Sequence, residues 1–137
     1  MDSKFLEHLH EEAKLAREFS HSPYSRFAVG AALKLKGSDK IIRGCNIENA
    51  SIGATICAER VALVKLRSED KKPQIEALMI VTAEAKATAP CGICLQSLAE
   101  FCGPDLKIYL ASLSGVIEKL QFKDLLPRAF RSFESSQ

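Results

Sequence analysis

The residues best suited to chemistry are three cysteines and one glutamate in two short segments. Cys57-Ala58-Glu59-Arg60 lies near the middle of the chain, and Pro90-Cys91-Gly92-Ile93-Cys94 follows further along. Cysteine thiolates suit a borderline-soft divalent ion such as zinc, and three protein ligands leave the fourth tetrahedral position open for water. The spacing therefore predicts one zinc per chain, held by Cys57, Cys91 and Cys94 in a site of the catalytic type.

Glu59 is predicted to be the catalytic residue of this site. A carboxylate beside a zinc-activated water can accept its proton and deliver it to a substrate nitrogen without binding the metal. Arg60 is expected to donate hydrogen bonds to the thiolates and so offset their negative charge. Both segments are predicted to open helices, with Thr55 capping the first and Pro90 placed before or at the first turn of the second. The partial positive charge of a helix N-terminus favours thiolate over thiol.

A non-catalytic zinc module is the alternative from another class of protein. A lone Cys-x-x-Cys pair is a weak signal, which is about as often half of a structural zinc site or two buried thiols as part of a catalytic site. In that alternative Cys45, Cys102 or His21 would close the metal shell as a fourth ligand, and Glu59 would have no task.

Length and composition favour one domain over residues 1–137. Hydrophobic residues make up 47% and charged residues 26%, which are ordinary globular values. The formal charge of +2, from 19 basic and 17 acidic residues, is too balanced for a chain that must neutralise many phosphates, so no polymeric nucleic acid is expected as partner. No apolar run approaches a membrane span and no signal peptide is evident, so we expect a cytoplasmic protein without a membrane partner, whose five cysteines stay reduced.

Hydrophobic periodicity predicts helices alternating with short strands. Gly30, in the first strand, would allow close approach of a helix or ligand. Such alternation predicts an α/β fold, a three-layer α/β/α arrangement with a mixed sheet of about five strands and helices on both faces. The predicted helices cover residues 3–19, 55–67, 92–101 and 122–126, and the predicted strands cover 27–35, 40–45, 77–81, 107–111 and 116–120.

Along nearly its whole length the chain resembles the small homotetrameric zinc-dependent cytidine deaminases. Zinc deaminases combine a three-cysteine shell, a non-ligand glutamate and a Pro-Cys-x-x-Cys segment. Beside the two zinc segments, the resemblance rests on Ser22-Pro23-Tyr24-Ser25 with Phe27, on Val29-Gly30-Ala31-Ala32-Leu33, on Gly44-Cys45-Asn46-Ile47-Glu48-Asn49-Ala50-Ser51, on Glu100-Phe101 and on Leu125-Leu126-Pro127 with Ala129-Phe130.

The resemblance implies hydrolytic deamination of cytidine and 2′-deoxycytidine to the uracil nucleosides and ammonia, as in pyrimidine salvage. Activated water would attack C4 while Glu59 shuttles protons. Deaminases of other cytosine nucleosides or nucleotides share the metal motif, so they remain an alternative. The resemblance implies that Phe27 packs against the base and that Asn46 and Glu48 bind the ribose 3′-hydroxyl. It also implies substrate contacts by Ala58 and by Phe130, the latter in a neighbouring subunit's site, although Phe130 could instead be an interface anchor. Arg60 and Gln96 would donate hydrogen bonds to the thiolates.

Two residues depart from the family pattern. Ile52 stands where members commonly have Tyr near a subunit contact, which affects the expected details of the interface. Leu95 stands where they commonly have Arg, which removes a positive charge near the site. Neither departure touches a predicted ligand or Glu59.

Overall fold

Five strands form one mixed sheet in the computed structural model, which describes residues 1–133 of the chain. The helices and strands are α1 (Ser3–Arg17), β1 (Gly30–Leu35), β2 (Ile41–Cys45), α2 (Ala58–Glu69), β3 (Ile75–Val81), α3 (Gly92–Ala99), β4 (Lys107–Ser112), β5 (Gly115–Gln121) and α4 (Phe122–Leu125), with a 3-10 turn at Ile52–Ala54. The strand order is β2-β1-β3-β4-β5. Only β3 and β4 run parallel, and the other neighbours are antiparallel.

Helices cover both faces of the sheet, so the predicted three-layer α/β/α fold is confirmed. On β3, Ala77, Met79 and Val81 belong to a buried cluster shared with α1. The alternate residues Leu78 and Ile80 belong to a second cluster shared with α2 and α3. Burial on both faces explains why this strand appears in the sequence as a continuous apolar run.

Two glycines let helices lie close against strands. A Cβ built on Gly30 would lie 2.0 Å from the main-chain oxygen of Ala13 in α1. A Cβ on Gly44 would lie 2.4 Å from the main-chain oxygen of Ala58 in α2. The predicted close approach at Gly30 is therefore confirmed, and the neighbour is a helix.

Some predicted boundaries are wrong by two or three residues. The first strand begins at Gly30 instead of 27, because Asn46 side-chain atoms bind the main chain of Phe27 and Val29 and replace strand pairing there. The first helix ends at Arg17 instead of 19. Within residues 1–133, no helix combines the length and apolar character needed to cross a membrane.

Candidate active site

The three predicted ligands meet where two helices begin. Cys57 is the N-cap of α2, and Cys91 is the N-cap of α3, with Cys94 in the first turn of that helix. Neither N-cap sulfur makes a capping hydrogen bond to its own helix, which leaves both free to face the other cysteines. Helix dipoles place partial positive charge at this point and favour thiolate ligands.

The prediction that Thr55 caps α2 is wrong. The chain stays extended as far as Cys57, because Ile56 and Ile47 exchange main-chain hydrogen bonds of 2.9 Å. The Thr55 hydroxyl instead accepts a hydrogen bond from the Asn49 N–H at 3.2 Å. The helix start thus falls on the metal-ligand candidate itself.

The geometry of Cys57, Cys91 and Cys94, here called the three-cysteine cluster, fits zinc. The Cys57 and Cys91 sulfurs lie 3.9 Å apart, the Cys91 and Cys94 sulfurs 3.3 Å apart, and all three within 4.8 Å. A tetrahedral zinc with Zn–S bonds of about 2.3 Å separates its sulfurs by about 3.8 Å. Among the described residues this is the one group of three or more His, Cys, Asp and Glu side chains close enough to share an ion.

The structure does not bring the candidate fourth ligands of a closed structural shell to the metal site. Cys45, Cys102 and His21 lie outside the three-cysteine cluster. Cys45 is buried, and burial raises its pKa, while burial also raises the pKa of Cys102 to about 11. Neither environment favours the thiolate that a zinc ligand must be.

Electrostatics within the cluster already favour one thiolate. The pKa of Cys57 is lowered to about 6, chiefly by a hydrogen bond from Cys94. Cys91 and the Arg60 guanidinium also lower this pKa, whereas burial of the thiol raises it. The same hydrogen bond and burial raise the pKa of Cys94. The Arg60 guanidinium therefore lies near enough to Cys57 to favour its thiolate form.

Glu59 is buried next to the cluster. Its side chain is 5% exposed, and burial raises its pKa, with a smaller contribution from Cys57. A carboxyl group whose pKa is shifted towards neutrality can both accept and release a proton under working conditions. The structure thus gives Glu59 the environment that a proton shuttle needs.

A cavity of about 270 Å³ opens in front of Glu59 and the cluster. It brings together most of the predicted site residues with several that were not predicted to belong to the site, Ser25 among them. Larger cavities lie elsewhere, two of about 580 Å³ and one of about 510 Å³, and none of these three contains a cluster cysteine. The lining residues are Ser25, Phe27, Val29, Asn46, Glu48, Thr55, Cys57, Ala58, Glu59, Ile80, Thr88, Ala89 and Cys91.

Asn46 and Glu48 hold the loops around the cavity in place. The Asn46 amide oxygen accepts from Val29 N–H at 3.0 Å, and its nitrogen donates to Phe27 oxygen at 2.8 Å. Glu48 accepts hydrogen bonds from the Ser25 hydroxyl and from the Tyr24 and Ser25 main-chain N–H groups. These bonds, the Ser25 hydroxyl first, lower the pKa of Glu48 and keep it ionised.

Gln96 and Phe130 lie outside the cavity. The Gln96 amide nitrogen donates a 2.7 Å hydrogen bond to the Phe130 main-chain oxygen, and its expected donation to a thiolate stays a prediction. Arg131 fixes the course of the C-terminal segment along α3 by donating to the Ala99 and Cys102 oxygens. The Phe130 ring is 53% exposed and packs edge-on against Phe133.

Comparison with known families identifies the family to which this arrangement of residues belongs. Residues 2–110 match the model of the cytidine and deoxycytidylate deaminase zinc-binding region. The chain belongs to this deaminase family. The deaminase match contains the whole three-cysteine cluster and Glu59, so the predicted zinc dependence is confirmed at the level of the family.

Similar proteins of this deaminase family span nearly the same length. A cytidine deaminase of Halalkalibacterium halodurans is 48% identical over 120 residues, which cover 88% of this chain and 89% of that one. The crystal structure of cytidine deaminase from Burkholderia pseudomallei has a TM-score of 0.85 at 40% identity and covers 95% of this chain and 100% of that one. The cytidine deaminase structure from Mycobacterium tuberculosis gives 0.77 at 36% identity, with coverages of 92% and 97%.

Proposed function

We propose that this protein hydrolyses cytidine and 2′-deoxycytidine to uridine and 2′-deoxyuridine, releasing ammonia. The observation that carries this proposal is the shared cavity, which Glu59, Cys57 and Cys91 line together with Phe27, Asn46 and Glu48. The cavity thus combines groups for hydrolysis with an aromatic ring and polar groups suited to a nucleoside. The names of the similar proteins support the same substrate class.

Cys57, Cys91 and Cys94 would hold the zinc, which when bound supplies Lewis-acid activation of water. Glu59 accepts the proton of the attacking water and passes it to N3 of the cytosine ring. A second transfer by Glu59 protonates the leaving amino group, so that water is consumed and ammonia released. Burial of Glu59 excludes competing solvent and suits both transfers.

The remaining cavity residues position the nucleoside. Phe27 packs against the base, and Ala58, at the start of α2, forms part of the wall beside it. Asn46 and Glu48 bind the 3′-hydroxyl of the sugar. Arg60 acts on the thiolate of Cys57 and does not line the cavity.

We place the active protein in the cytoplasm as a homotetramer. Exposed apolar side chains on and near the site helices support association, among them Val64 at 57%, Ile93 at 65% and Ile52 at 84% exposure. Phe130 does not line the cavity of its own chain, which fits a contribution to a neighbouring subunit. The free cysteines suit a reducing compartment.

The test of this function is incubation of the zinc-loaded protein with cytidine while the loss of cytidine absorbance is followed. Metal analysis of the same sample should give about one zinc per chain. Formation of uridine at a rate proportional to zinc content is the expected result. A protein with full zinc content that leaves cytidine unchanged would contradict the proposal and favour a structural zinc module.

Substrate size and charge are tested by comparing cytidine, 2′-deoxycytidine and cytidine monophosphate at one ionic strength. If Asn46 and Glu48 contact the 3′-hydroxyl, loss of the 2′-hydroxyl should matter little. The ionised Glu48 disfavours a phosphate close to the sugar, so the monophosphate should be the poorest substrate. A monophosphate that matches or exceeds cytidine in kcat/KM would assign the protein to nucleotide deamination.

A further inference from the structure

The Ser25 hydroxyl links the Glu48 carboxylate to the main chain of Phe27, and all three residues line the cavity. The hydroxyl oxygen accepts a hydrogen bond from the Phe27 N–H at 3.0 Å, and its proton is donated to Oε2 of Glu48. A main-chain N–H can only donate and a carboxylate can only accept, so both directions are fixed. The single proton of Ser25 is therefore committed to Glu48.

The hydrogen bonds around Glu48 leave one acceptor position free. Oε1 already accepts from the Tyr24 and Ser25 N–H groups, each at 3.0 Å, and Oε2 accepts from the Ser25 hydroxyl. A carboxylate offers about four lone-pair positions, two on each oxygen. The remaining position lies on Oε2, the oxygen whose orientation the Ser25 hydroxyl sets.

Asn46 is left with one free donor by a similar arrangement. Its oxygen accepts from the Val29 N–H and from the Ser20 hydroxyl, which also fixes which amide atom is oxygen. One amide proton goes to the Phe27 oxygen, and one remains. One free acceptor on Glu48 and one free donor on Asn46, lining the same cavity, match a single ligand hydroxyl.

The backbone at this point is held in an unfavourable conformation. Arg26, between Ser25 and Phe27, has φ of 59° and is the one non-glycine residue with positive φ among residues 1–133. Its N–H donates to the Ser22 oxygen at 3.0 Å and closes the turn. Strain of this kind persists only where surrounding bonds over-determine it, and such positions concentrate at ligand sites.

We propose that Ser25 is a positioning residue that aims Oε2 of Glu48 at a sugar hydroxyl and fixes that carboxylate to the main chain of Phe27. The proposal rests on the proposed function for the identity of the ligand as a nucleoside. Removal of the Ser25 hydroxyl leaves the Phe27 N–H without its acceptor and frees Oε2 to turn. The cost should therefore fall on recognition of the sugar hydroxyl more than on the chemistry at the base.

The test compares Ser25→Ala with the parent protein on cytidine and 3′-deoxycytidine. For cytidine, kcat/KM should fall about tenfold to hundredfold, mainly through KM, because a charge-assisted hydrogen bond is misplaced. For 3′-deoxycytidine the loss should be several-fold smaller, since this substrate lacks the hydroxyl that Glu48 would bind. Ser25→Thr keeps the hydroxyl and should restore most of the cytidine activity.

Ser38→Ala is the matched control. The Ser38 hydroxyl accepts from the Lys40 N–H two residues on, at 3.0 Å, in the turn between β1 and β2 and outside the cavity. It removes the same kind of local hydrogen bond and should leave both substrates unaffected. If Ser25→Ala fails to fold, Ser25→Cys provides a weaker donor and should show the same substrate-selective loss to a smaller degree.

Calorimetric binding of uridine and 3′-deoxyuridine gives a readout independent of turnover. Ser25→Ala should weaken uridine binding more than 3′-deoxyuridine binding. Equal losses for the two ligands and the two substrates, or no loss at all, would overturn the proposal while leaving the deaminase function intact. A parent protein that binds uridine but forms none from cytidine would instead contradict the proposed function, and the binding comparison would still decide the role of Ser25.

Discussion

Gly44→Ala is the substitution that most directly links packing to the active site. The new Cβ would lie 2.4 Å from the Ala58 oxygen and 2.5 Å from the Ala62 nitrogen, both main-chain atoms of α2. A non-bonded contact to a carbon atom is free of repulsion only at about 3.5 Å or more. The start of α2 must therefore move by about 1 Å relative to β2. Cys57 and Glu59 flank Ala58 and must move with it.

The expected cost is large because the obstacle is rigid backbone. Overpacking of a core costs about 1–3 kcal/mol in the free energy of unfolding, and the Gly44→Ala contact belongs at the upper end of this range. For a chain of this size, such a loss lowers Tm by roughly 10 °C. A 1 Å displacement of a catalytic group can reduce turnover about a hundredfold. Thermal unfolding by circular dichroism and kcat for cytidine at low temperature, both at fixed zinc concentration, measure the two effects.

Gly103→Ala is the control, because a Cβ at Gly103 meets nothing within 4 Å. It should change neither Tm nor kcat appreciably. If Gly44→Ala matches Gly103→Ala in both measurements, the inference that Gly44 sets the position of α2 and its site residues is refuted.

Three further predictions concern the metal, the proton shuttle and the C-terminal segment. Cys45→Ser and Cys102→Ser should retain about one zinc per chain by elemental analysis, and loss of zinc in either would overturn the ligand assignment. Glu59→Gln should keep zinc and Tm but lose at least about 10²–10⁴-fold in kcat, and near-normal turnover would exclude its role as proton shuttle. Truncation after Pro127 removes Phe130 and should lower both activity and tetramer content in sedimentation, whereas a fully active monomer would contradict the proposed assembly.

The Cys91–Cys94 part of the three-cysteine cluster was predictable from the sequence because it depends on local spacing. Cys91 and Cys94 are separated by less than one helical turn, so any helix that starts at this segment brings their sulfurs together. The apolar run of β3 likewise predicts a strand buried on both faces. The exact start of α2 was not predictable, because it depends on the pairing of Ile56 with Ile47, a contact between different loops.

The hydrogen-bond network around the cavity was beyond sequence reasoning for the same reason. Ser25 meets Glu48 across 23 positions, and Asn46 reaches Phe27 across 19. Gln96 binds the main chain of Phe130 across 34 positions. The Ser-Pro-Tyr-Ser segment was a recognisable pattern, yet only the fold reveals that its last hydroxyl faces a carboxylate.

Incorporation of oxygen from water is the most direct measurement of the proposed reaction. The zinc-loaded protein is incubated with cytidine in water enriched in oxygen-18, and the products are analysed by mass spectrometry together with an ammonia assay. Hydrolytic deamination predicts uridine carrying one labelled oxygen at C4 and an equal amount of ammonia. Unlabelled uridine, or cytidine consumed without release of ammonia, would contradict it.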